Sequence, residues 1–127
     1  MSPDAAVIDR ARVWLEQLYR DLDEQLRSRK SDDELLRRME WEIRRYQGEM
    51  LAAIKAVLCQ WLVGGDEVKF LLALDLIGAL HVAECAGELE RLRDDLRSGR
   101  SKWPSSWLAL VQRVLDDLGR GSGGTDR

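Results

Sequence analysis

Histidine is nearly absent: His81 is the only one in 127 residues. A di-iron carboxylate bundle takes a Glu-x-x-His element from each of two helices. One histidine, in the reversed order His81-x-x-Glu84, excludes that site. A Ser-His-Asp or Cys-His arrangement would have to use His81, and no nucleophile-elbow motif accompanies it. Phosphate-cradling loops are missing too. Gly64-Gly65 lacks the Gly-Lys-Ser/Thr of a P-loop, and Gly119, Gly121, Gly123 and Gly124 precede no helix. The longest apolar run, Phe70 to Leu80, is interrupted by Asp75 and is too short to cross a bilayer. No apolar h-region follows the acidic start Met1-Ser2-Pro3-Asp4, so no secretory signal is visible. Two cysteines, Cys59 and Cys85, without an export signal point to a reducing, cytoplasmic setting. Strand-like alternation of useful length is also missing, which leaves an all-α fold.

What the chain does have is charge and helical periodicity. Hydrophobic residues make up 45% and charged residues 34%, a mixture that suits a folded helical protein and not a disordered one. The net charge is −3, so no global basicity recruits nucleic acid or an anionic membrane. Arginine outnumbers lysine sixteen to four, a bias that points to a GC-rich bacterial genome.

Four amphipathic segments follow one another. The first is expected to open with Ser2 as N-cap and Pro3 at the first helical position. It carries Ile8, Ala11, Leu15, Leu18, Leu22 and Leu26 on one stripe. Ser31-Asp32-Asp33-Glu34 reads as a capping box for the second. Its stripe (Leu35, Met39, Ile43, Tyr46, Met50, Ile54, Val57 and Trp61) predicts one helix of roughly 30 residues, with Gly48 as its weak point. Gly64-Gly65 supplies a stop and Asp66 a cap for the third segment. The stripe Leu71, Leu74, Gly78, Val82, Cys85, Leu89, Leu92 and Leu96 predicts that this helix continues to about Arg97. After a loop at Ser98–Ser101, the fourth helix starts near Pro104–Ser106 with Trp107, Val111, Val114 and Leu118 on one face. Residues 119–127 read as a disordered Gly/Ser tail beyond a single helical domain at 1–118.

Short connections favour an up-down-up-down four-helix bundle. In that arrangement Cys59 and Cys85 would stand roughly 20 Å apart along the axis, beyond disulfide reach. A second architecture comes from a resemblance. Asp66-Glu67-Val68, Leu72-Ala73, Leu76, Gly78 and Leu80, followed by Leu89, Leu92 and Leu96, resemble one HEAT repeat over about a quarter of the chain. The resemblance implies a short HEAT-like α-helical stack. The chain departs from the family pattern at His81-Val82-Ala83-Glu84, which replaces the usual turn with residues suited to a helix interior.

Three groups of residues carry candidate chemistry. On a continuous helix His81, Glu84, Cys85 and Glu88 would share one face, a donor set for a soft metal such as zinc. Cys85 within one turn of His81 would also suit an activated thiol. The bland reading, core and boundary residues with Cys85 in the apolar stripe, is preferred, and no cofactor is implied. Arg27, Arg29 and Lys30 in one loop and Arg97, Arg100, Lys102 and Trp103 in another would form a cationic end for nucleic acid or a phosphate ligand. Those cations equally complement helix dipoles. Trp41, with Arg38 and Arg45, lies off the apolar stripe, either on a face that a lone bundle leaves wet or covered by the first helix or by arginine stems. Tryptophan and arginine are the residues that interfaces favour at hot spots. The expectation is a non-catalytic helical protein–protein interaction or scaffolding module, a homodimer or a subunit of a larger assembly. The alternative is a nucleic-acid or phosphate-ligand binder, and the third a metal- or thiol-dependent enzyme.

Overall fold

The first helix begins where the residue ahead of it holds an extended backbone. Asp4 does so (φ −65°, ψ 146°), its carbonyl accepting the Ile8 N–H at 3.0 Å. The first helix, α1, therefore spans Ala5–Gln25, and Pro3 precedes it instead of opening it. The computed structural model describes residues 3–123, with side chains through Gly119; Ser2 lies outside this range. The described residues are all-α. After α1 come α2 (Asp33–Arg44), α3 (Gly48–Val63), α4 (Glu67–Leu80), α5 (Ala86–Ser98) and α6 (Leu108–Gly123), with 3-10 turns at Ala83–Cys85 and Ser105–Trp107. Of the expected tail, the backbone to Gly123 continues α6, and residues 124–127 lie outside the described residues.

Among the described residues six helices stand where four were expected, because two of the long segments break. The expected second helix ends at Arg44. Its last turn tightens to 3-10 bonding, with the Arg45 N–H donating to the Glu42 carbonyl at 3.3 Å and the Tyr46 N–H to the Ile43 carbonyl at 3.0 Å. Gly48 then takes φ +63° and restarts the helix as α3. A side chain there would find open space, so only the backbone resists one. Gly48→Ala should lower stability by about 1 kcal/mol, the left-handed penalty less the entropy gained in the unfolded chain. Urea denaturation would measure it.

The expected third helix breaks at His81, the one described non-glycine residue with positive φ (54°). The Val82 N–H donates to the Ile77 carbonyl at 3.0 Å and the His81 N–H to that of Gly78 at 3.4 Å. That is a Schellman cap, with Val82 and Ile77 both fully buried beside it. His81-Val82-Ala83-Glu84 is thus a turn and not a helix interior. The turn brings Cys85 to a Cα distance of 5.3 Å from Cys59, and the two form a disulfide. This overturns the expected 20 Å separation, which assumed a continuous helix. It also removes the argument from unpaired cysteines for a reducing compartment. Among the described residues no helix is long and apolar enough to cross a membrane.

The capping box at Ser31–Glu34 does not form. Asp32 is the N-cap of α2 without a side-chain cap bond, because its carboxylate accepts from the Arg29 guanidinium at 2.8 Å. Asp66 does cap α4, accepting the Lys69 N–H at 3.0 Å.

The chain packs as two compact units, Met1–Val57 and Leu58–Arg127, whose boundary falls inside α3. In the first unit α1 packs on α2, burying Ala11, Leu15 and Leu22 and, on α2, Leu35, Met39 and Ile43. Trp14 meets Tyr46 edge-on at 4.9 Å, and the Asp4 N–H reaches Glu49 at 3.2 Å. In the second unit α6 packs against α4 and α5, over a core that includes Leu76, Ile77, Leu89, Leu96, Val111 and Leu118. Phe70, Trp103 and Trp107 stack on one another with centroids 5.0 to 5.5 Å apart, fastening the segment between α5 and α6 to the start of α4.

Candidate functional site

Helix α2 divides its residues cleanly. Leu35, Met39 and Ile43 recur every four residues and are buried. The opposite side carries Glu34, Arg37, Arg38, Trp41, Arg44 and Arg45, all exposed. Their spacing of three and four residues puts them on one stripe. Trp41 sits at its centre, 59% exposed, with an arginine pair one turn before it and another one turn after. The Arg45 guanidinium carbon stands 5.2 Å from the Trp41 ring centroid, a cation–π contact. Arg44 pairs with Glu40 at 2.8 Å and Arg45 with Glu42 at 3.3 Å, so both carry their counter-ions on the helix flanks. Arg37 and Arg38 have no ion-pair partner among the described residues. Other exposed apolar side chains, such as Val13 and Val63, have no such ring of cations.

The expected cationic end divides between the two units, and each half is engaged locally. Arg29 binds Asp23 at 2.7 Å and Asp32 at 2.8 Å, and its Nη1 donates to the Leu26 carbonyl at the end of α1 at 3.0 Å. Hydrogen bonds to Asp32 and then Asp23 hold its guanidinium pKa above the ordinary arginine value. Arg27 lies 3.9 Å from Glu24, and Lys30 is exposed. With Asp23, Ser31 and Asp32, these three cations line a shallow hollow of mixed charge. In the second unit Arg97 reaches Gln112 at 3.4 Å and Arg100 reaches Asp95 at 3.3 Å. Lys102 donates to the Gly65 carbonyl at 2.9 Å and lies 4.7 Å over Trp103. Trp103 itself stacks on Phe70 and Trp107, so it is a packing residue.

The candidate metal face is not assembled. His81 is the left-handed cap residue, Glu84 lies in the 3-10 turn, Glu88 is on α5, and Cys85 is fully buried in the disulfide. Among the described residues no group of three or more His, Cys, Asp or Glu is placed to hold a metal ion. A thiol role for Cys85 fails for the same reason: its sulfur is bonded to that of Cys59.

Arg37 and Arg44 complete the stripe but were not among the residues singled out from sequence. Counting three and four positions from Trp41 in both directions would have found them. No protein family, curated protein or solved structure gives a significant match to this chain.

Proposed function

We propose that this chain is a non-catalytic helical interaction module that docks a protein through the exposed face of α2. The supporting observation is Trp41, 59% exposed and flanked by Arg37, Arg38, Arg44 and Arg45. Covering the wet part of such a ring removes roughly 90–150 Å² from water, about 2–4 kcal/mol of transfer free energy before association entropy is subtracted. Arginine adds planar forks for carboxylates around that anchor. The partner is either a second copy of the chain or a different protein.

Light scattering across a concentration series separates these two. Self-association raises the mass above that of one chain, and Trp41→Ala returns it to the monomer. If the wild type is monomeric throughout, a photo-crosslinker at position 34, exposed on the same stripe, should give a discrete adduct that Arg38→Glu with Arg45→Glu removes. A monomer that yields no such adduct overturns the reading. Because Trp41 is exposed, Trp41→Ala should leave stability within about 0.5 kcal/mol of the wild type. A collapse of helicity in that variant would make the ring a packing residue instead.

A further inference from the structure

The arrangement of charge on α2 says more about what would dock there. Trp41 is flanked by Arg37 and Arg38 one turn earlier and by Arg44 and Arg45 one turn later. The two pairs are centred seven residues apart, or about 10 Å along the axis. A helix laid along this face offers side chains at the same repeat, so carboxylates one turn to either side of an apolar residue would meet the two arginine pairs. An extended strand repeats on one face about every 6.6 Å and falls out of step.

The local charge balance selects among anions. Between Asp33 and Arg45 the four arginines are matched by Asp33, Glu34, Glu40 and Glu42, and the whole chain carries −3. A polyphosphate or an anionic membrane is drawn by a net positive field, and α2 has none. Recognition here must come from individual arginine–carboxylate forks set around a hydrophobic anchor. Arg37 and Arg38 supply the cations that α2 leaves without an ion pair.

We infer that the α2 stripe binds an acidic amphipathic helix of a partner protein, Trp41 receiving its apolar residue and the arginine pairs its carboxylates. This inference rests on the interaction reading above and names the partner's chemistry.

The test uses the full chain and a labelled synthetic helical peptide in which a leucine is flanked by glutamates three and four positions to either side. A scrambled peptide, a thymidine oligonucleotide and phosphatidylserine vesicles serve as competing probes. Anisotropy should report saturable binding of the designed peptide that weakens as salt is raised. Trp41→Ala and Arg37→Glu/Arg38→Glu should each weaken it by about tenfold or more. The double reversal places glutamates in the first half of α2, which the helix dipole tolerates, and circular dichroism checks the fold. Equal binding of the scrambled peptide, binding of the oligonucleotide or vesicles alone, or no binding at all would each overturn the proposal. If the position-34 adduct or the concentration-dependent mass persists after such a result, only the acidic-helix chemistry has failed. If these vanish too, the interaction reading fails with it.

Discussion

Unfolding experiments with and without reductant should show a loss of about 3.5 kcal/mol when the Cys59–Cys85 bond is opened, the loop-closure value for a separation of 26 residues. Cys59→Ala/Cys85→Ala should lose a similar amount, with a drop in melting temperature on the order of 10 °C. Alanine is the better replacement because Cys85 is fully buried and a serine would bring an unsatisfied hydroxyl into the core. The bond ties the C-terminal half of α3 to the 3-10 turn ahead of α5, so its loss releases the segment around His81. Mass spectrometry after alkylation of the native protein supplies the decisive check. Two alkylated cysteines, together with an unfolding midpoint indifferent to reductant, would show that the pair does not form.

Phe70→Ala should destabilise the chain by about 3–5 kcal/mol, the range for deleting a buried aromatic ring. Phe70 is fully buried, 5.0 Å from the Trp103 centroid and 5.5 Å from that of Trp107. Truncation therefore opens a cavity and removes the surface against which both indoles stack. Near-ultraviolet circular dichroism should lose tryptophan signal in parallel with the fall in the urea midpoint. A conservative Phe70→Leu should recover part of the stability and little of the dichroism, since the aliphatic side chain fills volume without offering a ring. A loss of less than about 1 kcal/mol in Phe70→Ala would mean that the cluster closes up and is not the fastening.

Much of the core is legible in the sequence alone. Every stripe position named from periodicity, from Ile8 through Leu118, is buried or half-buried. The failures came at continuity. The stripes run on through Ile43, Tyr46 and Met50, and again through Gly78, Val82 and Cys85, although the backbone breaks inside both. Spacing reports which side chains face inward, and a turn that returns the next residues to the same core preserves that pattern. Gly48 was visible as a weak point because glycine tolerates φ > 0. His81 carried a subtler signal, since histidine is among the non-glycine residues enriched in the left-handed region.

The candidate face divides in the same way. Trp41 was legible as off-stripe, and the arginines at three- and four-residue spacing follow from helix geometry alone. The cationic end was not legible, because formal charge does not show that Arg29 is held by Asp23 and Asp32 or that Lys102 binds the Gly65 carbonyl.

By itself, then, the sequence determined the all-α class, the inward face of each helix and the off-stripe position of Trp41. All three depend on the 3.6-residue repeat, which is local. Only the tertiary structure decided where the helices break, that Cys59 meets Cys85, and that Trp103 packs against Phe70. The last two join residues far apart in the chain, and all three follow from backbone dihedrals and packing that side-chain spacing does not encode.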